Sequence, residues 1–599
     1  MPDRVVDYLV RAVAEAGITQ IFGVDGANIE DLFDAIFDAG NTPEGIIAKH
    51  EFSAATMADG YARSTGGLGV VAATSGGGAV NLVAGLAESF TSRVPVLALV
   101  GQPPTSLEGL GAFQDTSGLA ESIDAAALFA TISRYCVRVT DPAELPAQLA
   151  AAVTAAREGG PAVLLLPKDV QQQSMPTIVD APLAPADSPA GPGPSGLFNN
   201  ASPEPGSSAR PHPADGRPAA PALSIDAPPV PSEIVSPTQT VAAALVAARS
   251  TGKVVIIAGD QVARDDARTE LAELVAALDA SIGLAPDAKD VYSNTGPGYC
   301  GVAGSMGHAE LVEALSAASV CLLVGTRLPV TARAGLDAAL AELPVRSVGA
   351  LPPYLSATHA TSTDLADTLT TLLAGLGTER GAGGRTTAPT PMTVPAAAGP
   401  GLRYRTVVEA IQTALPDGAD IFADAGNTGA AVVHYLRVPE HGRFTVALGM
   451  GGMGYAFGAG IGSAFARRHG GHRTVVIAGD GSFFMHGMEI HTAIEHDLPI
   501  TFVVFNNNAH AMCVTREQLY YRDRYSFNRF QPSYLGAGIA AMFPGIDAPT
   551  VSEPDQLAEA LHRGFATTGP SFLEILCDPD EVPPFLPFLS AIESSRSTP

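Results

Sequence analysis

The chain has 599 residues, 61 of them acidic against 34 basic, and a net charge of −27. Several domains are expected at this length, and the charge argues against nucleic acid or an anionic membrane as a partner. No apolar run approaches the length of a membrane span. The opening residues, MPDRVVDYLVRAVAEAG, read as an amphipathic helix and not as a signal peptide. Five scattered cysteines without metal spacing point to reduced thiols and a cytoplasmic protein.

Residues 1–170 alternate apolar strands (Ile21–Gly23, Ile46–His50, Val70–Thr74, Val94–Val100 and Ala162–Leu166) with helical stretches, the pattern of a parallel α/β unit. Residues 171–235 are rich in Pro, Ala, Ser and Gly without any period, which reads as a disordered linker. Order resumes over 236–376, with a helix at Thr238–Arg249, a strand at Val254–Ala258, a helix at Ala267–Leu278 and a strand at Val320–Val324. A second joint covers 377–402. A third unit, 403–586, has strands at Ile421–Ala423, Thr445–Leu448, Thr474–Ala478, Ile500–Phe505 and Phe572–Cys577, and residues 587–599 form a tail. The expected fold class is α/β: three consecutive α/β domains with parallel sheets.

The stretch from Thr474 to Met512 carries the most chemistry. One strand ends in Gly479-Asp480-Gly481, a helix is expected over about Phe484–His496, and the next strand ends in Asn506-Asn507-Asn508. Parallel strands joined by a crossover helix put both turns at the carboxyl edge of the sheet, where open α/β sheets bind ligands. Asp480 offers a charged oxygen and Asn507 a neutral carbonyl oxygen, the donors that Mg²⁺ takes alongside phosphate and water. Gly479 and Gly481 permit close approach of backbone, and the helix start at Ser482 offers N–H groups to an anion. A lone Gly-Asp-Gly is usually a surface turn; its pairing with Asn-Asn across one helix is far more specific.

GDG, a helix, then NN resembles the motif of thiamine diphosphate (ThDP) enzymes, nearest to the acetohydroxyacid synthase, pyruvate decarboxylase and benzoylformate decarboxylase group. The resemblance implies a pyrimidine-binding domain, a Rossmann-like central domain and a diphosphate-binding domain. It implies Mg²⁺ on Asp480, Asn507 and the carbonyl of Ala509. AKHEFSAATMADGYAR resembles the family's RHE segment, which makes Glu51 the carboxyl that activates the aminopyrimidine; taken alone, Glu51 reads as a first-turn carboxylate favoured by the helix dipole. TSGGGAVN resembles the family's TSGPG segment and brings in Gly76 and Asn81. VALGMGGMGYAFGAG implies a carbonyl of Gly451 for the coenzyme's amino group, and Met453 as the apolar prop that bends the coenzyme; Asn427 and Thr428 open a turn at the diphosphate.

GQPPTSLEGLGAFQ resembles the synthase segment whose Phe and Gln line the substrate pocket, here Phe113 and Gln114. Pyruvate decarboxylases carry two histidines there as proton donors. Their absence implies a carboligase that decarboxylates a 2-oxo acid, with pyruvate foremost, and passes the acyl carbanion to a second carbonyl. The rivals are a non-ligating decarboxylase and a non-catalytic ThDP-binding subunit. Asp25 departs from the family's proline, and reads either as an acid–base group or as a turn carboxylate. In the synthases the central domain carries FAD; Gly259-Asp260-Gln261 and the segments bearing Arg327 and Arg333 echo that pattern only loosely, and the balance is against FAD. The resemblance implies a homodimer or homotetramer, with Glu51 facing the partner chain's diphosphate domain.

Overall fold

A computed structural model describes residues 3–176, 236–376 and 388–597. Most of the expected 171–235 linker and the start of the 377–402 joint lie outside them. The described residues form three six-stranded sheets, parallel throughout. The first holds β1 (Gln20–Val24), β2 (Glu44–Ile47), β3 (Gly69–Ala73), β4 (Val96–Gln102), β5 (Tyr135–Arg138) and β6 (Pro161–Pro167), in the order β2-β1-β3-β4-β6-β5. The second holds β7 (Lys253–Ala258), β8 (Ser281–Leu284), β9 (Tyr299–Val302), β10 (Ala318–Val324), β11 (Val345–Gly349) and β12 (Thr358–Thr361), ordered β12-β11-β10-β7-β8-β9, the doubly wound Rossmann arrangement. The third holds β13 (Asp420–Ala423), β14 (Arg443–Val446), β15 (Thr474–Gly479), β16 (Ile500–Asn506), β17 (Thr550–Val551) and β18 (Ser571–Leu576), ordered β14-β13-β15-β16-β18-β17. The first and third sheets thus share one topology.

Helices on both faces explain why the central strands are apolar without alternation. Every residue of β3, β4, β6 and β16 is buried. The expected strands appear with ends shifted by a few residues. Three boundaries differ more. The first unit runs on to Met175, whose amide donates to Asp3 O, five residues past the expected end. The later part of the second joint is laid between domains: Thr390 N–H donates to Glu310 and Met392 N–H to His434. The expected tail forms a helix, Leu586–Ser597, anchored by the buried Phe588 against Phe585.

One helix of the first unit, Glu51–Thr65, crosses one of the third, Tyr455–Arg467, at backbone contact. A Cβ on Gly60 would lie 2.0 Å from Ala459 O, and one on Gly462 would lie 1.9 Å from Met57 O. Only glycine lets these helices meet so closely, and the crossing joins the first and third sheets into one core.

The central domain docks on the third through Lys289, which is 1% exposed and donates to Val433 O. Its neighbours His308 and His434 stack at 4.3 Å, and burial holds them down at about 2 and about 4. Burial also pulls Lys289 down to about 7. An unfolded lysine titrates near ~10.4, so the stability tied to the neutral amine is full above that value and is lost as pH falls through about 7. Thermal melts are expected to show the wild type losing on the order of 1 kcal/mol per pH unit below about pH 9 down to about pH 7, and Lys289→Met showing a flatter profile and a higher midpoint at neutral pH.

Candidate active site

The C-terminal half of the site lies at the switch point of the third sheet, outside the ends of β13, β15 and β16. Register pairs Gly479 with Phe505, so Asp480 and Asn507 leave neighbouring strands at nearly the same height. The helix after Gly479 starts at Asp480 itself, earlier than expected, and runs only to His486; a 3-10 turn at Gly487–Glu489 separates it from Ile490–Glu495. Glycine is needed at this break, since a Cβ on Gly487 would lie 2.2 Å from the ring of Phe483.

Asp480 and Asn507 converge. The Ala509 N–H donates to Asp480 Oδ2 at 3.2 Å and to Asn507 Oδ1 at 3.1 Å. Asn507 Nδ2 donates to Tyr404 Oη at 3.1 Å, which turns the amide oxygen toward Asp480. Asp480 is 1% exposed, and its Oδ1 has no hydrogen-bond partner among the described residues. Burial pushes its carboxyl up to about 7. A buried carboxylate with an orphan oxygen beside an oriented amide oxygen fits a hard divalent cation.

Around this pair, Thr428 approaches Gly479, and Met453 and His510 approach Gly481. Asn427 is buried, with its Oδ1 unpartnered among the described residues. The Ser482 hydroxyl donates to Asp424 Oδ1 at 2.7 Å, so that group is taken by protein. Asp424, which sequence reasoning passed over, is 1% exposed and also accepts the amides of Ala425, Gly454 and Ala456. It ties the end of β13 to the turn carrying Met453. The only hint in the sequence was an acid at a strand end.

The N-terminal half gathers at the same edge of the first sheet. His50 caps the helix that Glu51 begins, its Nδ1 accepting from Phe52 N–H. Asn81 Nδ2 donates to Glu51 Oε2 at 2.9 Å, and Gly78 packs against Oε1. Gly76 (φ 62°) caps the helix Gly77–Thr91 and lies against Gln114, itself at φ 60°. Thr74 donates to Gln114 Oε1, and Phe113 stands 74% exposed beside it. Glu51 is half-buried in the single chain. The Asp25 carboxylate accepts the Gly26 amide.

The N- and C-terminal domains also pack on each other within one chain, next to Glu51. His486 stacks on Phe52 at 4.3 Å, stands edge-on to His50 at 5.1 Å and hydrogen-bonds Ser53 at 3.3 Å. Burial, then His50, holds His486 down at about 4, so it is neutral at pH 7. Buried Glu489 accepts the Lys49 amide from the other domain. Other sequence candidates are engaged elsewhere: Arg327 stacks on Tyr354 at 3.9 Å, and Arg333 pairs with Asp337.

The central domain's switch point, between β7 and β10, is filled. Gln261 is 4% exposed there; its Oε1 accepts from Ala350 N–H and its Nε2 donates to Asp265 and to Ser362 O. Thr326 closes over Gly259, where an added Cβ would lie 2.4 Å away. Gln261 and Thr326 thus occupy that crevice among the described residues.

Comparison with known proteins places the chain in a family. Profiles of the thiamine pyrophosphate enzymes match in order: the N-terminal TPP binding domain over residues 3–124, the central domain over 238–347 and the C-terminal TPP binding domain over 424–575. The "Probable acetolactate synthase large subunit" of Methanocaldococcus jannaschii is 26% identical, over 97% of this chain and 93% of that protein. The acetolactate synthase isozyme 2 large subunit of Escherichia coli is 25% identical, over 95% of both chains. The sulfoacetaldehyde acetyltransferase of Castellaniella defragrans is 26% identical, over 97% and 94%. The crystal structure of benzoylformate decarboxylase from Polynucleobacter necessarius shares the fold, with a TM-score of 0.76 at 17% identity over 97% of this chain and all of that one. The matched domains together span more than half of the chain, which belongs to the thiamine pyrophosphate enzymes and is similar to their acetolactate synthase large subunits.

Proposed function

We propose that the chain is a ThDP- and Mg²⁺-dependent carboligase. It would decarboxylate a 2-oxo acid, pyruvate first among them, and join the two-carbon unit to a second carbonyl, as an acetolactate synthase does. When bound, ThDP supplies the nucleophilic carbon and the electron sink for decarboxylation. Asp480, Asn507 and the Ala509 carbonyl would hold Mg²⁺ and, through it, the diphosphate, with Gly479, Gly481, Ser482, Asn427 and Thr428 around the same anion. Gly451 and Met453 would set the pyrimidine end. Glu51, oriented by Asn81, would exchange a proton with the pyrimidine ring. Phe113 would exclude water from the reacting carbon.

One observation carries the preference for ligation. Gln114, held between Thr74 and Gly76, is the polar side chain beside Phe113, and an amide is a poor proton donor. The rival decarboxylase reading is favoured by the His50–His486 pair beside Glu51, but His486 is neutral at pH 7 and offers little acid. Incubation with pyruvate, Mg²⁺ and ThDP, read by mass spectrometry, is expected to yield a product with a new C–C bond. Stoichiometric free aldehyde with no such product would overturn the proposal. The relative named for sulfoacetaldehyde keeps other acceptors in the screen.

The protein is read as a homodimer or homotetramer. Phe113, Met450 and Phe484 near the site are more than half exposed, and half-buried Glu51 needs further cover to be dry. A small subunit fits the relatives' names as large subunits. The filled central crevice supports a domain without FAD, so the purified protein should show no flavin absorbance. The charge supports neither nucleic acid nor membrane as a partner, no helix among the described residues is long and apolar enough to cross a membrane, and a cytoplasmic location is proposed.

A further inference from the structure

We propose that Glu88 is a positioning residue, through which the N-terminal domain sets the turn that holds the pyrimidine end of the coenzyme. The proposal rests on the reading of Gly451 and Met453 given above and names a residue from another domain that acts through them. Glu88 lies in the helix Gly77–Thr91 and is 2% exposed. Its carboxylate accepts three successive amides of the C-terminal domain: Gly449 N–H on Oε1 at 3.1 Å, and Met450 and Gly451 N–H on Oε2 at 2.6 and 3.3 Å. Ser92 Oγ donates to Oε1 at 2.8 Å and fixes the carboxylate from its own side.

The turn has little else to hold it at that end. The amides of Gly449 to Gly451 make no other hydrogen bond among the described residues, while Asp424 grips the far end through Gly454 and Ala456. Hydrogen bonds to a carboxylate are roughly twice as strong as neutral ones, so three on one group define the backbone course. Two glycines show how tightly it is defined. Gly451 adopts φ 66°, and a Cβ on Gly449 would lie 2.1 Å from Thr91 Oγ1 and 2.9 Å from Glu88 Oε1. The inner edge of the turn is pinned, while Gly451 and Met450 are exposed on its outer edge. A backbone presented in this way can accept from a ligand's amino group in a fixed place, and displacement by ~1 Å can cost ~100-fold in rate.

The test uses Glu88→Gln, which keeps the shape but turns an amino group on the amides, and Gly449→Ala, which keeps the carboxylate but displaces the turn. Both are expected to keep the far-ultraviolet circular dichroism of the parent. Hydrogen–deuterium exchange at C2 of bound ThDP is expected to fall roughly 10- to 100-fold in each. The dissociation constant for ThDP with Mg²⁺ should change less than about threefold, because the diphosphate end stands on other elements. Exchange within twofold of the parent in both variants would overturn the proposal. So would an equal loss of affinity and exchange, which marks general loosening of the domain contact. Glu51→Gln, run alongside, separates the two readings. If it abolishes exchange while both variants retain it, the role of Glu88 alone fails; if it exchanges normally, the site reading fails first.

Discussion

Replacing Glu51 by Gln is expected to leave a folded protein that binds ThDP and Mg²⁺ and turns over roughly 10²- to 10⁴-fold more slowly, the range for losing a positioned acid–base group. Glutamine fills the same volume, and Asn81 can still donate to its carbonyl oxygen, so little stability should be lost. What disappears is a group that can carry a proton back and forth. Steady-state kinetics with pyruvate, beside a ThDP titration followed by intrinsic fluorescence, checks both halves of the claim. Near-normal turnover would remove Glu51 from the chemistry.

Asp480→Ala is expected to have the second large effect, on binding and not on the chemical step. The wild-type carboxylate is buried, its Oδ1 lacks a partner among the described residues, and it is costly to keep charged without a cation. Removing it takes away the charged ligand and leaves Asn507 to hold Mg²⁺ alone among the protein side chains. ThDP affinity in saturating Mg²⁺ should fall by at least ~100-fold, a loss of about 3 kcal/mol. The apo protein should melt no lower than wild type, since the deletion removes an uncompensated buried acid. Chelation of the wild type should copy the binding defect. Calorimetric titration of ThDP with and without Mg²⁺ decides it, and unchanged affinity would move the metal elsewhere.

Much of this was legible in the chain because strand ends fix where loops emerge. GDG and NN stand at the ends of two apolar runs, and parallel pairing alone brings Asp480 to Asn507. Glu51, Gly76, Asn81 and Gln114 gather at one edge for the same reason. Asp424 and Glu88 escaped notice because their work is done on backbone amides 30 and more than 360 positions away, and no local pattern marks an acceptor for a remote turn. His486 escaped because its partners, Phe52 and Ser53, lie on a helix of another domain. The broken helix after Asp480 was missed because an isolated glycine such as Gly487 is tolerated in a helical pattern; that the residue must be glycine follows from the close ring of Phe483. The filling of the central crevice by Gln261 depends on three acceptors and donors that only the fold assembles.

The common strand order of the outer sheets carries a further consequence. In both, the third strand runs into a glycine-rich bend that opens a helix: Thr74 to Gly77 in one, Gly479 to Gly481 in the other. Superposing the sheets should lay one bend over the other; on the proposed reading, a single architectural plan, used twice, would meet an aromatic heterocycle in one copy and a phosphoanhydride in its twin. Recognition would then differ through the side chains on equivalent bends, while the two frameworks stay alike.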